Sequence, residues 1–382
     1  MVPMRVAIVT ESFLPQVNGV TNSVLRVVEY LTSLGHQALV IAPESDGGPK
    51  EYCGASIKRV PALPFQSILP IGLPVAVPSR RLEYLLDGFS PDVVHLASPF
   101  ALGAYSARIA KRLEVPTLSV YQTDIAGFAS HYGLNLAHGS LKKIVGKIHS
   151  NTDKTLAPST SACRDLLAVG VPNVHLWRRG VNTTLFHPMQ RDLALRESWD
   201  AQNKLIVGYV GRLANEKRIT DLLVLDQDPK VQLVIVGDGP AREKLQRELP
   251  NAIFTGFKSG NDLAAAYASF DLFIHPGPNE TFCQAVQEAL SSGTPCIVPI
   301  TGGPADLVTE KATGYIVQTE NPDALKSAVL HFRDRDDRIE MQLMARNSVV
   351  ERTWEKVNGQ LLDHYMSIIK SPIHVAESES VA

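Results

Sequence analysis

The sequence has 382 residues, a formal net charge of −2 at pH 7, 45% hydrophobic residues and 20% charged residues. This balance is typical of a soluble globular protein, and the length is sufficient for two domains. Without a net positive charge, no electrostatic feature favours nucleic acid as a partner. The four cysteines form no CxxC pair and the eleven histidines form no HExxH motif. Neither a disulfide framework nor a tetrahedral metal site is therefore indicated.

The N-terminal residues begin directly with a strand pattern, Arg5–Thr10, and Glu11 interrupts the apolar run. We therefore expect no signal peptide. The longest apolar segment, Phe65–Val77, contains Pro70 and Pro74 and is too short to span a bilayer. These features predict a cytoplasmic protein.

Short apolar strands alternate with helix-length segments through the first half of the chain. This alternation predicts an α/β fold with a parallel, doubly wound sheet. The predicted strands are Val6–Val9, Ala38–Ala42, Val93–Leu96, Thr117–Tyr121, Leu156–Pro158 and His175–Trp177. The predicted helices are Thr21–Leu34, Ala101–Leu113 and Ser161–Ala168.

Polar residues follow two of these strands at the ends where α/β proteins place their sites. The loop Glu11–Val20 has the geometry of a phosphate cradle, although only one glycine, Gly19, sits at the critical turn. Gln122–Asp124 and His131 follow the strand Thr117–Tyr121. Alone, these residues indicate a site no more strongly than they indicate ordinary loops.

Two segments of the first half are unusual. Pro61–Ser79 combines five prolines with apolar residues, which predicts an exposed loop that is neither a helix nor a buried strand. In Ser140–Lys154, Leu141, Ile144, Val145 and Ile148 share one helical face, whereas Lys142, Lys143 and Lys147 lie elsewhere. Such a helix either packs on its own domain or rests on an anionic membrane.

The second half repeats the architecture after a predicted hinge at Arg179–Val181. The predicted strands are Leu205–Tyr209, Leu233–Val236, Leu272–His275 and Cys296–Pro299. The predicted helices are Glu216–Leu225, Ala241–Leu249, Asp262–Ser269, Phe282–Leu290 with Thr281 as N-cap, a helix starting near Ala305–Asp306, and Trp354–Tyr365. Two domains, 1–180 and 181–350, should face a cleft. We expect the helix in 351–370 to pack back on the first domain and the tail 371–382 to fray.

Several charged residues of the second half lie at predicted strand ends or near predicted helix starts. Arg212 directly follows a strand and Lys217 lies near a helix start, a combination suited to gripping a pyrophosphate. Glu280 precedes a helix and Glu288 lies inside it. The alternative is that Lys217 and Glu288 are solvated helix residues in an ordinary βαβ unit.

The ordered set Gly211-Arg212, Glu216-Lys217, Gly237-Asp238-Gly239-Pro240, Glu280 and Glu288 resembles the retaining glycosyltransferases of the GT-B fold. The segments VTESFLPQVNGVTNSV and SVYQTDIAGFASHYG are most similar to bacterial GDP-mannose-dependent α-mannosyltransferases acting on lipid acceptors. The resemblance implies two Rossmann-like domains, the C-terminal one binding the nucleotide sugar and the N-terminal one the acceptor. It also implies a glycolipid acceptor of the glucuronosyl-diacylglycerol or phosphatidylinositol-mannoside type.

The resemblance implies roles for individual residues. Arg212 and Lys217 match the diphosphate-binding pair, Glu280 the acid at the donor-sugar hydroxyls, and Glu288 the acid at the ribose. The remaining candidate donor contacts are Gly19, Asn18 (where a glycine is usual), Lys258 in the base-reading loop 257–259, and the backbone of Phe282 and Cys283. Gln122 stands where the family often has histidine, and it cannot titrate. Asp124 and His131 are candidates for contact with the donor sugar or the acceptor, as is Gln122.

The resemblance implies front-face attack without a metal or other cofactor, the leaving phosphate taking the acceptor's proton. It further implies a cytoplasmic enzyme that is peripheral on the inner face of the plasma membrane. Three alternatives stay open: a UDP-sugar-dependent diacylglycerol glycosyltransferase, a sugar-nucleotide epimerase of the same fold, and a non-catalytic sugar-nucleotide sensor. The intact charged set disfavours the sensor, and the apolar loop and the basic helix favour a lipid acceptor.

Overall fold

The computed structural model describes residues 3–45, 47–63, 75–76, 79–122, 138–200, 202–318 and 320–369. Within these residues the chain forms two α/β units, each built on its own large, mostly parallel sheet. The predicted two-sheet α/β architecture is confirmed. The tail 371–382 lies outside the described residues.

The N-terminal sheet has the strand order β10-β9-β8-β7-β1-β2-β4-β3, and its pairings are parallel except that of β3 with β4. Its strands are β1 Arg5–Thr10, β2 Gln37–Pro43, β3 Glu51–Tyr52, β4 Ala55–Val60, β7 Val93–Ala97, β8 Thr117–Val120, β9 Lys154–Ala157 and β10 Val174–Leu176. Its helices are α1 Gly19–Ser33, α2 Arg80–Phe89, α3 Ala101–Arg112, α4 His138–Ser150 and α5 Thr160–Ala168.

The C-terminal sheet is parallel throughout, with the order β13-β12-β11-β14-β15-β16. Its strands are β11 Leu205–Val210, β12 Val231–Val236, β13 Ile253–Gly256, β14 Leu272–Ile274, β15 Cys296–Pro299 and β16 Gly314–Val317. The later helices are α6 Leu193–Ser198, α7 Leu223–Asp226, α8 Arg242–Glu248, α9 Gly260–Ser269, α10 Gln284–Ser291, α11 Pro322–Arg333, α12 Arg338–Asn347 and α13 Trp354–Ile369.

The central strands are nearly continuous apolar runs because helices cover both faces of each sheet. Ile8 of β1, for example, is fully buried and lies opposite Val40 of β2 and His95 of β7. In the second sheet every residue of β12 is buried. Such rigid, buried strands fix the positions of the loops at their carboxyl ends.

Two of the predicted helices near the site are wrong. Glu216–Leu225 is not one helix but two 3₁₀ helices, Asn215–Lys217 and Ile219–Leu222, followed by the short α7. Arg218 between them has a left-handed φ of 52°, which interrupts a regular α-helix. The helix expected near Ala305–Asp306 is a 3₁₀ helix, Gly303–Leu307.

The helix predicted as Phe282–Leu290 begins later, at Gln284, because Cys283 adopts a left-handed φ of 82°. Thr281 is therefore not its N-cap. The segment Pro61–Ser79 is also not wholly a loop, since Ala62–Leu63 (β5) pairs antiparallel with Val75–Ala76 (β6). Residues 64–74 and 77–78 lie outside the described residues.

The chain crosses between the domains twice, and the two crossings lie side by side. The Val181 amide donates to the Arg352 carbonyl at 2.9 Å, and Val181 bridges to Thr353. A Cβ on Gly180 would lie 2.6 Å from the Trp354 Cα, so this close approach requires glycine.

After the second crossing, α13 packs on the N-terminal domain. Val357, Leu361, Leu362 and Tyr365 belong to that domain's buried cluster. The Tyr365 hydroxyl lies 2.5 Å from His95 Nδ1, so α13 also has a polar contact inside this core.

The helix α4 directs much of its apolar face into its own domain. Val145 and Ile148 are 6% and 8% exposed, whereas Ile144 is 48% exposed. These contacts favour the packing interpretation of its apolar face. No helix among the described residues combines the length and hydropathy needed to cross a bilayer.

Candidate active site in the interdomain cleft

Loops at the carboxyl ends of strands from both sheets meet between the domains. The Thr281 hydroxyl, beyond β14, donates to the Gln122 carbonyl oxygen, beyond β8, at 2.9 Å. The Thr160 backbone amide and hydroxyl donate to the Asp306 carboxylate at 2.5 and 2.6 Å. These contacts place Gln122 of the N-terminal domain next to the loop that carries Glu280 and Thr281 of the C-terminal domain.

Lys217 and Glu280 form an ion pair in this cleft, between Nζ and Oε1. Their side chains are 21% and 24% exposed. Burial lowers the pKa of Lys217, but the Glu280 carboxylate outweighs it and the net pKa is raised. Burial likewise raises the pKa of Glu280, and Lys217 more than offsets this, so the net pKa is lowered. Both residues are consequently held in their charged forms.

The backbone around Glu280 is fixed by two close approaches. The Gly303 amide donates to the Glu280 carbonyl at 2.8 Å, and a Cβ on Gly303 would lie 2.4 Å from the Thr281 carbonyl oxygen. A Cβ on Gly277 would lie 3.2 Å from the Lys217 Cα. The two glycines thus let three loops stack closely enough to form the pair.

Arg212 is positioned by two glycine turns packed against each other. The Gly211 amide donates to the Val236 carbonyl at 3.0 Å, and the Leu213 amide to the Asp238 carbonyl at 2.9 Å. A Cβ on Gly237, where φ is 137°, would lie 2.0 Å from the Gly211 carbonyl oxygen. The Arg212 side chain is 49% exposed and forms an ion pair with Glu216, which lies on the loop that carries Lys217.

Glu288 lies on α10, and burial raises its pKa to about 7, against the opposing effects of the Tyr267 hydroxyl and the Arg179 guanidinium. It therefore differs from the solvated helix residue of the alternative interpretation. Its charge should change near neutral pH, unlike that of Glu280.

Gly19 and Asn18 begin α1 of the N-terminal domain. The Asn18 side chain is the N-cap and accepts a hydrogen bond from the Thr21 amide at 3.0 Å. Its amide nitrogen donates to the Ser12 hydroxyl at 2.7 Å. Asparagine in place of the usual glycine thus caps the helix whose amide groups would face a phosphate.

The remaining predicted residues differ in how they are placed. Phe282 and Cys283 are buried, so their backbone rather than their side chains borders the cleft. Lys258 lies between β13 and α9, and its ammonium has no hydrogen-bond or ion-pair partner among the described residues. Asp124 and His131 lie outside the described residues.

A cavity of about 590 Å³ opens between the domains beside Glu280. Lys142 and Arg164 line it from the N-terminal domain, and Thr301 and Asp306 line it from the C-terminal domain. Its position next to the Lys217–Glu280 pair gives a second molecule access to the groups expected to hold a donor sugar.

Two buried side chains in this region were missed by the sequence analysis. His275 lies 3.7 Å from Glu280, between Nε2 and Oε1, and burial lowers its pKa to about 4. Arg179 lies between Gly19 and the two glutamates. The sequence offered only weak signals: His275 ends an apolar strand, and Arg179 precedes the glycine of the hinge.

Comparison with known proteins establishes the family. The family described as "Glycosyl transferases group 1" matches residues 192–347, and "Glycosyltransferase Family 4" matches residues 17–185. A GDP-mannose-dependent alpha-mannosyltransferase of Mycolicibacterium smegmatis is 49% identical over 371 residues, which are 96% of this chain and 98% of that protein. The chain belongs to the group 1 glycosyltransferases.

Two further proteins similar to this glycosyltransferase differ more in sequence. A GDP-mannose-dependent alpha-(1-6)-phosphatidylinositol dimannoside mannosyltransferase of Mycobacterium tuberculosis is 27% identical over 94% of this chain and 95% of its own. The crystal structure of HepE from Anabaena in complex with UDP superposes with a TM-score of 0.76 at 16% identity. That alignment covers 95% of this chain and all of the other, and it supports the GT-B fold.

Proposed function

We propose that this group 1 glycosyltransferase transfers α-mannose from GDP-mannose to a glycolipid acceptor. The observation that carries the proposal is the 49% identity, over 96% of the chain, to a GDP-mannose-dependent alpha-mannosyltransferase. The charged set in the cleft supports it independently, because a nucleotide sugar needs cations for its diphosphate and acceptors for its hydroxyls.

In this proposal Arg212 and Lys217 bind the diphosphate, together with the amides at the start of α1. As the glycosidic bond breaks, negative charge grows on the leaving phosphate, and these donors stabilise it. Glu280 accepts from the sugar hydroxyls and Glu288 from the ribose hydroxyls. Lys258 and its loop contribute to binding of the guanine base, and the backbone of Phe282 and Cys283 contacts the sugar.

The acceptor hydroxyl attacks from the face that the diphosphate leaves, and the departing phosphate takes its proton. An α-linked donor then yields an α-linked product, without a metal or other cofactor. Turnover that persists in a chelator such as EDTA is the expected result.

The lipid acceptor is supported by the similarity to the mycobacterial phosphatidylinositol dimannoside mannosyltransferase. It enters through the cavity beside Glu280, which Lys142 and Arg164 flank. Gln122, Asp124 and His131 are proposed contacts on the acceptor side. We further propose that the enzyme acts on the inner face of the plasma membrane as a peripheral protein.

A binding screen tests the donor. Calorimetry with GDP, UDP and ADP should show tight binding for GDP alone. GDP-mannose incubated with the enzyme should keep its sugar unchanged until a glycolipid extract is added. Preferential binding of UDP would support the alternative diacylglycerol glycosyltransferase, and conversion of GDP-mannose without an acceptor would identify an epimerase.

A further inference from the structure

Arg179 lies at the first crossing between the domains, and only 9% of it is exposed. One guanidinium nitrogen donates to the Gly19 carbonyl oxygen at 2.5 Å. The guanidinium carbon lies 6.0 Å from the ring centroid of Trp354. Glu288 and Glu280 both act on it electrostatically. Because burying a charge is costly unless it is compensated, a cation at this position needs a specific reason.

Arg346, a second arginine near the hinge, has the contacts expected of a purely structural residue. Arg346 donates to the carbonyl oxygens of Thr183, Phe186 and Ser291 at 3.0, 2.9 and 2.7 Å. By contrast, Nε of Arg179 has no hydrogen-bond partner among the described residues. The carboxylates of Glu288 and Glu280 oppose the effect of burial on the pKa of Arg179, and burial still lowers that pKa overall.

The backbone of Arg179 is held from the C-terminal domain. The Gln287 side-chain amide donates to the Arg179 carbonyl at 2.9 Å, and that of Gln284 donates to the Gly180 carbonyl at 3.0 Å. Both glutamines lie on α10, the helix that carries Glu288. Arg179 is therefore anchored to α10 by its backbone carbonyl and to the start of α1 by its guanidinium.

We propose that Arg179 is a positioning residue of the donor site: its guanidinium holds the Gly19 turn of one domain, and its backbone ties that turn to α10, the helix of the other domain that carries Glu288. The inference rests on the proposed function, in which these two elements meet the diphosphate and the ribose. Arg179 itself acts through them rather than by touching the donor.

The electrostatics of Glu288 make this role measurable. Its other neighbours are Tyr267, Gln284 and Cys283. Burial raises the pKa of both Tyr267 and Cys283, so these groups stay neutral near pH 7. Burial lowers the pKa of Arg179 only to about 10, so the guanidinium keeps its charge. Replacing it with a neutral side chain should make Glu288 ionise at a higher pH.

The test compares Arg179→Met, Arg179→Lys and, as the matched control, Arg346→Met. The titration of Glu288 is followed by ¹³C NMR of labelled glutamate, the signal being assigned by its loss in Glu288→Gln. Arg179→Met should move the midpoint to higher pH, and Arg179→Lys should keep it close to that of the wild type. Arg346→Met should lower stability and leave the midpoint unchanged. Gln287→Met removes only the hydrogen bond to the Arg179 carbonyl, and it should move the Glu288 midpoint slightly.

GDP affinity and kcat supply a second readout. We expect GDP affinity near pH 7 to fall in Arg179→Met, by no more than the roughly tenfold loss predicted for Glu288→Gln, because a smaller fraction of the Glu288 carboxyl is then ionised. Arg179→Lys should keep that affinity but lose about tenfold in kcat, because a point charge cannot also hold the Gly19 turn.

An unchanged Glu288 midpoint in folded Arg179→Met would overturn the proposal, as would an equal shift in Arg346→Met. If Arg179→Met does not fold, the Gln287→Met midpoint decides, and no shift there counts against the proposal. This NMR titration needs no nucleotide. If the wild-type enzyme does not bind GDP, that result would therefore refute the proposed donor and not the role of Arg179.

Discussion

At the scale of single residues, the cleft keeps opposite charges ionised although it is largely shielded from water. Lys217 and Glu280 each favour the neutral form by burial, and each restores the charged form of the other. In the proposed function, a donor would therefore meet an ammonium for its diphosphate and a carboxylate for its sugar without a prior proton transfer. Such preorganisation of charge is what a transition state with a departing diphosphate requires.

We predict that Arg212→Ala and Lys217→Ala each weaken GDP binding and turnover. Charge-assisted hydrogen bonds to a phosphate contribute roughly 1.5–3 kcal/mol each, so calorimetry should show losses of at least tenfold. Lys244→Ala, which removes an exposed lysine on α8, is the matched control. Near-normal turnover in both site variants would refute the assignment of the pair.

The two glutamates should separate nucleotide binding from sugar transfer. Glu280→Gln should reduce transfer strongly and leave GDP affinity unchanged or higher, because the variant removes an anion that competes for the Lys217 ammonium. Glu288→Gln should weaken GDP itself by about tenfold, since one charged acceptor for the ribose is lost. The opposite order in calorimetry would mean that the two roles are exchanged.

Glu288 should also make stability depend on pH. Its pKa is raised by burial from an ordinary 4.5 to about 7. The folded state therefore holds a proton that the unfolded state has lost, and stability falls as the pH rises from 4.5 through about 7. Glu288→Gln avoids this ionisation and should be more stable than the wild type at about pH 8, by on the order of 1–3 kcal/mol. Urea denaturation showing a more stable wild type at that pH would contradict this.

At the scale of elements, the helix α4 illustrates how packing limits an amphipathic pattern. Val145 and Ile148 are used by the domain's own core, and Lys142 lines the interdomain cavity. Lys143 and Lys147 are exposed. Any attachment of this helix to a membrane should therefore be mainly electrostatic.

We predict that Lys143→Gln/Lys147→Gln weakens co-sedimentation with anionic vesicles. Two lysines contribute about 2 kcal/mol on such a surface, or roughly thirtyfold in partitioning. Salt should weaken the wild-type binding, since charge attraction is screened over about 10 Å at 0.1 M. Neutral vesicles and a Lys244→Gln/Lys326→Gln variant serve as controls. Equal binding of the wild type and the double variant to anionic vesicles would exclude this attachment.

The segment after Lys217 shows why one helix was mispredicted. Ile219, Leu222 and Leu225 are buried at a spacing of three residues, which suits a 3₁₀ helix as well as an α-helix. The left-handed Arg218 that separates the two short helices has no reliable sequence signal, because its side chain is held by Asp221 and the distant Glu320. Buried strands such as β1 and β12 were found readily, since their apolar runs are local.

At the scale of the whole molecule, the two domains are joined by two chain crossings, the second of which leads into α13 on the N-terminal domain. The two crossings pair at Val181 and Thr353, and α13 then completes the N-terminal core. Motif spacing, together with the resemblance to a known family, was enough to propose Arg212, Lys217, Glu280 and Glu288. It could not reveal Arg179, because Gly19 and the two glutamates with which it interacts are distant in sequence and meet only in the folded protein.

Sugar transfer itself tests the central claim most directly. The purified enzyme is incubated with radiolabelled GDP-mannose and a bacterial glycolipid extract, and the label that passes into the organic phase is counted and treated with α-mannosidase. We predict organic-phase label that α-mannosidase releases, with little label in Glu280→Gln. Organic-phase label from UDP-glucose but not from GDP-mannose would contradict the account, as would a product that resists α-mannosidase.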